Sequence, residues 1–398
     1  MFSPLSLFLW FTIISSAIIG VPGLEIFRLP LFLLFILIVG LNSVVKVKKT
    51  VANLVLLIFA VYPLVQFLVL QGKLLATIQA TIMVVAMLLV GNFVMRQKID
   101  KNDLETIAKY ITFGMFAFYY NAVGWNGRSA GLFGNPNATA YMALTLLSLI
   151  LMFSSSKKIK TIAVINVLCL IIYTASRGAL MALLLGYIAY LTVKRFKFGF
   201  LGIWGVALSC LFVSVYALDI AAFIVEIVVE SEEVKSGTRL LRLDANGRDI
   251  ITERAYDRFF SSGTELFGLG FDKAKFDIGD GIAAHAGTHN SYLETLLKLG
   301  YIGVAFSAFY LLFLTNRIRS VKSVKYRSII AMQLTVFLSL ATNASVFMVV
   351  NYYFFYFIVL IEIAILKDKK EASLIFKLEE RVSSVLSPNI QEIKESNV

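Results

Sequence analysis

The chain has 398 residues, of which 59% are apolar and 16% charged, with a mean hydropathy of +0.81. That balance excludes an ordinary soluble domain and makes the bilayer the main solvent. The net charge of +12 calls for no nucleic acid, because the excess Lys and Arg gather in connections between apolar runs, where they orient helices and meet anionic lipid.

A hydrocarbon core about 30 Å thick takes roughly 20 apolar residues per crossing helix. Such runs recur at 5–22, 29–45, 52–71, 75–95, 106–124, 137–155, 161–175, 178–193, 200–218, 291–315, 328–343 and 350–366. The expected fold class is therefore an all-α polytopic membrane protein of about twelve transmembrane helices. The first run, from Leu5 to Val21, has no basic segment before it and no small-residue cleavage site, and it exceeds the ~7–15 residue core of a signal peptide. It reads as a retained helix. Cys169 and Cys210 sit inside apolar runs, which argues against a disulfide framework or a cysteine metal site.

Basic clusters fall at alternate connections: Lys46, Lys48 and Lys49; Arg96, Lys98 and Lys101; Lys157, Lys158 and Lys160; Lys194, Arg195 and Lys197; Arg317 through Arg327; and Lys367, Lys369 and Lys370. The positive-inside rule makes these connections cytoplasmic, with both termini on that side of a bacterial inner membrane. The opposite connections hold single basic residues, Arg28, Lys73, Arg128 and Arg177. The expected division is 1–218 for helices one to nine, 219–290 for an outer-face loop subdomain, 291–366 for helices ten to twelve, and 367–398 for an amphipathic cytoplasmic tail. The loop carries eight Lys/Arg against thirteen Asp/Glu, so it is no generic basic patch. Its apolar stretch at 220–229 and its helical pattern from Arg248 to Phe260 argue for order.

Four places on the outer side carry chemistry. In the segment from Arg128 to Asn137, Arg128 is a candidate cation, and Asn135 and Asn137 either bind sugar or cap the helix beginning near Ala138. Arg177 follows Ser176 where one helix ends and the next begins. An arginine within the membrane costs roughly 2.5–3.5 kcal/mol on insertion scales, so it has either a function or a snorkelling route to the surface, with Gly178 permitting the turn. Arg248 opens a helical pattern and shares a stripe with Ile251, Ala255 and Phe259, whereas Arg254 and Arg258 lie among Glu253 and Asp257 on a solvated face.

The two histidines, His285 and His289, are four residues apart. That spacing fits a metal pair only formally: Gly287 divides them, the glutamate of the His-Glu-x-x-His pattern is absent, and no third ligand follows. No metal is expected. A histidine with a pKa near 6.5 is better suited to proton transfer, worth roughly 10²–10⁴-fold. If a helix starts after it, His289 aligns with Leu293, Leu296 and Gly300 on the packed face.

The run from His289 and Asn290 through nine residues to Gly300, then two residues to Gly303, resembles the signature of the bacterial O-antigen ligase and polymerase family. Ser176-Arg177-Gly178 opening a helix, Arg248 about forty residues before the histidine, and Gly268-Leu269-Gly270 between them extend the resemblance, as does the Arg128–Asn137 segment. It spans about 120 to 315. The resemblance implies a C-type glycosyltransferase-like fold and a periplasmic site that uses no cofactor. The implied donor is a glycan on undecaprenyl diphosphate. The implied acceptor is lipid A core or another lipid-linked glycan, with polysaccharide assembly proteins as neighbours. His289 would then be the base, with Arg177 and Arg248 holding the diphosphate. Arg128, Asn137, Asn290 and His285 are secondary substrate contacts. A flippase or transporter is the rival from another class, but it would more naturally carry charges at the bilayer midplane and internal repeats. An envelope scaffold explains the helices but not the arginine and histidine arrangement.

Overall fold

The computed structural model describes residues 5, 9, 13–14, 51–70, 74–96, 100–120, 124–125, 128–129, 131–133, 135–228, 248–270, 290–342 and 353–373. Among the described residues the chain is helical apart from one short hairpin, in which β1 (Gly124–Trp125) pairs antiparallel with β2 (Arg128–Ser129). The helices are α1 (Val51–Leu70), α2 (Leu74–Arg96), α3 (Lys101–Gly114), α4 (Pro136–Phe153), α5 (Lys157–Thr174), α6 (Arg177–Phe196), α7 (Phe200–Val228), α8 (Arg248–Phe260), α9 (Ser291–Asn316), α10 (Val324–Ala341) and α11 (353–373). The expected run at 29–45 and the amphipathic tail beyond 373 lie outside the described residues. Of the first run, Leu5, Leu9 and Ile13 are helical and buried, on one stripe by their spacing of four.

Four segments among the described residues are long and apolar enough to cross a membrane: Pro136–Phe153, Arg177–Phe196, Ser291–Ser320 and Val324–Ala341. α4 and α10 are almost wholly buried at the centre, whereas α6 shows lipid-like faces through Leu180, Leu184, Tyr187, Ile188 and Leu191. α10 packs along α6, α7 and α4. Gly186 permits the closest approach: a Cβ there would stand 2.7 Å from Val336 Cγ2.

Two boundaries differ from the hydropathy reading. The run expected at 106–124 is a helix from Lys101 to Gly114 followed by a 3₁₀ turn at Met115–Tyr119. Asp100 caps it by accepting from the Lys101 N–H, and the helix buries the stripe Leu104, Ile107, Ala108 and Ile111 together with Thr112. α7 continues past 218 to Val228, because the apolar stretch after Asp219 extends the same helix.

Side-chain contacts sort the helix ends into two groups. At one end Lys367 donates to the Met152 carbonyl at 2.8 Å, Asp368 accepts from the Lys322 and Ser323 N–H groups at 2.9 and 2.7 Å, and Arg317 forks onto Glu362. These contacts join the end of α4, the start of α10, the end of α9 and the end of α11, where the basic clusters lie. At the other end Ser176 donates to Asn137 at 3.0 Å, Tyr353 to the Ala138 carbonyl at 3.0 Å, and Tyr292 to the Leu338 carbonyl at 3.0 Å. Those contacts join the starts of α4, α6, α9 and α11 to the end of α10.

Candidate functional site

The second end of the bundle carries Arg177, Asn137 and Asn290 among the sequence candidates. α5 finishes with Ala175 in the left-handed region, φ 48°, while Ser176 N–H reaches back to the Ile171 carbonyl and Ala175 N–H to that of Ile172. This six-to-one closure uses the carbonyls that a helix end leaves open. The reversal therefore sits at Ala175. Gly178, expected to permit the turn, lies inside α6 instead. The tight link makes Ser176 the N-cap position of α6 and Arg177 its first helical residue, half-buried beside the positive end of the helix dipole.

The start of α4 lies against it. Asn135 is the cap, its side-chain oxygen accepting from the N–H groups of Asn137 at 2.9 Å and Ala138 at 3.3 Å, with Pro136 in the first turn. Asn137 is left to accept from the Ser176 hydroxyl, which fixes the start of α4 to the start of α6. Upstream, Gly131 adopts φ 66° where a Cβ would fall 2.7 Å from both the Phe118 carbonyl and the Thr139 side chain. Only glycine fits there. Arg128 belongs to β2, which packs against α5; its side chain is outside the described residues.

Arg248 is the first residue of α8, and its side chain too is outside the described residues. Farther along, α8 follows the expected stripe: Ala255 and Phe259 are buried with Leu293 and Leu297 of α9, and Arg254 and Arg258 are exposed. Phe259 also meets the Tyr301 ring edge to face at 5.6 Å.

α9 breaks at Gly300, whose φ of 64° and ψ of −167° are not helical. In an unbroken helix the carbonyls of Leu297 and Lys298 would accept from Tyr301 and Ile302. Here the segment after α8 is spliced into the gap. Tyr301 N–H donates to the Glu265 carbonyl at 3.0 Å and Ile302 N–H to that of Leu266 at 3.2 Å. In return Leu269 N–H donates to the Leu297 carbonyl at 2.6 Å and Gly270 N–H to that of Lys298 at 3.2 Å.

Such an approach of two backbones leaves no room for side chains. A Cβ on Gly268 would meet the Gly300 nitrogen at 2.5 Å, and one on Gly300 would overlap Gly268 N and the carbonyls of Leu266 and Glu265. Both glycines have positive φ. The glycine of the His289–Gly303 run and the first glycine of Gly268-Leu269-Gly270 are thus two halves of one contact. Gly303 is the other constrained position, since a Cβ there would overlap that of Leu299.

The sequence candidates therefore stand as follows. Arg177 and Asn137 meet through Ser176. Asn290 caps α9, accepting from Tyr292 N–H at 3.0 Å and Leu293 N–H at 3.2 Å, so one residue of the proposed substrate set has a structural task. His285 and His289 lie outside the described residues, His289 being the residue before that cap. Among the described residues no three His, Cys, Asp or Glu side chains gather as a metal site. Hydropathy reasoning passed over Tyr62 and Gln66 of α1, which hold the splice from the far side. The signal was present: Gln66 is a buried amide within a largely apolar helix.

No curated protein matches the chain. A family model does match, over residues 161–308, and its description is O-antigen ligase. The matched stretch takes in Arg177, Arg248, His289 and both glycines of the splice, and leaves Arg128 and Asn137 outside. Over that stretch the chain is similar to the O-antigen ligase family.

Proposed function

We propose that the chain transfers a glycan from undecaprenyl diphosphate to a sugar hydroxyl, of lipid A core or of a second lipid-linked glycan, at the periplasmic face of the inner membrane. In this reaction His289 takes the proton of the acceptor hydroxyl as its oxygen bonds to the anomeric carbon of the donor. The bond from that carbon to the diphosphate oxygen breaks, and the lipid diphosphate leaves as an anion. Arg177 and Arg248 hold it, since guanidinium forks match phosphate oxygens in pairs and stay charged in a partly desolvated site. No metal takes part. Arg128, Asn137, Asn290 and His285 are secondary substrate contacts, Asn290 in addition to its capping of α9.

One observation carries this reading beyond the family match. The start of α6, which bears Arg177, is tied to the start of α4 by Ser176 on Asn137, and α8, which Arg248 opens, packs through Ala255 and Phe259 on Leu293 and Leu297 in the first turns of α9, the helix that follows His289 in the chain. The basic clusters occupy the opposite end, as expected for a site facing away from the cytoplasm. The test is His289→Ala in membranes supplied with purified lipid-linked glycan. Transfer should be abolished at normal protein level, while His285→Ala retains measurable activity. Full transfer by His289→Ala would remove the base from the mechanism.

A further inference from the structure

α1 runs along the outside of the bundle, and its lipid-like face, Leu54, Leu57, Ile58, Val61, Leu64, Val65, Leu68 and Val69, is exposed. Its inner stripe is different. Phe59, Tyr62 and Gln66 are 1%, 6% and 2% exposed, and two of the three are polar. A polar group in this setting needs partners, and both find them in the splice.

The Gln66 amide has two N–H groups, and Nε2 reaches the Phe267 carbonyl at 2.6 Å and the Lys298 carbonyl at 2.5 Å. The Tyr62 hydroxyl reaches the Leu299 carbonyl at 2.6 Å, with that of Phe267 at 3.2 Å. Leu299 O is the carbonyl immediately before the break at Gly300. Each side chain therefore bridges both strands of the splice, the inserted segment and the broken helix. Aromatic contacts fix their approach: the Tyr62 ring lies nearly parallel to Phe267 at 6.5 Å, and Phe59 stacks on Phe306 at 5.3 Å.

We propose that Tyr62 and Gln66 are positioning residues for the transferase: they lock the register of the Glu265–Gly270 segment against α9, and so set Arg248 on α8 relative to His289 before α9. The proposal rests on the function proposed above. It brings into the machinery a helix that lies wholly outside the residues matched by the family model. Neither residue touches substrate. Their role is to stop the two glycine backbones from sliding, because glycines supply the close approach but no side chain to hold it. Losing one buried hydrogen bond costs about 1–1.5 kcal/mol, about tenfold if it is felt in the aligned state alone.

The test uses the full chain in membranes with Tyr62→Phe, Gln66→Met and the double variant, and Leu68→Met on the exposed face as control. Tyr62→Phe keeps the ring contacts and removes one oxygen, so it remains informative if Gln66→Met accumulates poorly. We expect kcat to fall roughly tenfold in each single variant, with KM near wild type. The pH profile should keep its apparent pKa at a lower plateau. Amide exchange should quicken at Leu269, Gly270, Tyr301 and Ile302. Wild-type kcat in the double variant overturns the proposal, as does unchanged exchange at those four amides. Activity retained by His289→Ala would sink the base and leave this test standing, because neither readout depends on which residue takes the proton.

Discussion

The two ends of the bundle are held by different chemistry. At the basic end charge meets charge: both Arg317 nitrogens reach the fully buried Glu362, Asp368 caps the start of α10, and Tyr326 donates to Glu371 beneath the ammonium groups of Lys325 and Lys367. Glu105 accepts from the Ser154 hydroxyl and the Ser155 N–H. Burial alone would raise its pKa, but these bonds, the Ser156 N–H and the charge of Lys109 hold it below the usual carboxylate value. At the opposite end, among the described residues, amides and hydroxyls make the helix caps and the contacts between helices, through Asn135, Asn137, Ser176, Asn290, Tyr292 and Tyr353, and the ion pair of Lys298 with Glu294 stays within α9. Cations at the first end are spent on the fold. The function proposed above gives the cations Arg177 and Arg248 a different task, holding the diphosphate.

The largest effect should come from testing that contrast at the arginines. Lys keeps the charge but loses the planar fork, so Arg177→Lys and Arg248→Lys should each lose tenfold or more of turnover, on the order expected for a lost bidentate contact, with protein level unchanged. Arg254→Lys and Arg258→Lys, on the exposed face of α8, should stay near wild type. Near-normal turnover of both of the first pair in a reconstituted transfer assay would remove the diphosphate clamp.

The basic end should respond in the opposite sense. Arg317→Met strands the Glu362 carboxylate in the core and should destabilise the protein by about 3–5 kcal/mol while turnover per folded molecule persists. Pairing it with Glu362→Leu should recover most of that loss. Thermal unfolding in detergent measures both, and a turnover defect without a stability defect would blur the distinction between the ends.

The smallest effect sharpens the comparison through pH. Burial, then the nearby positive charge of Lys325 and Lys160, lowers the Lys367 pKa to about 8, against the opposing pull of Glu371 and Glu105. Between that value and the ordinary lysine value the unfolded chain binds the proton that the folded one has released, so stability rises with pH. The unfolding temperature should therefore climb modestly from about pH 8 toward pH 9.5, below the range where ordinary tyrosines titrate. Lys367→Gln should flatten that slope. An unchanged slope would place its origin elsewhere.

Much of the helical plan was legible in the sequence because bilayer thickness and the 3.6-residue repeat act locally. The expected helix from Arg248 to Phe260 appears with those bounds, its stripe of Ala255 and Phe259 buried and Arg254 and Arg258 outside. For Asn135 the sequence left sugar binding and capping open, and the structure makes it the cap of α4. The exceptions are also physical. Hydropathy averages over charge, so it missed the amphipathic start of α3, and it cannot see that Asn290 is engaged in capping.

The sequence by itself determined the apolar runs, the spacing of basic clusters between them, and the glycines and arginines that carry the resemblance to the O-antigen ligase family. Tertiary structure decided what the glycines are for. Gly268 and Gly300 are 32 positions apart and Gln66 more than 200 from either. No local pattern reveals that the first two share one backbone contact, or that a helix near the other end of the chain fastens it. The physical reason is that a broken membrane helix must find replacement partners for its carbonyls, and only the folded chain determines which distant donors supply them.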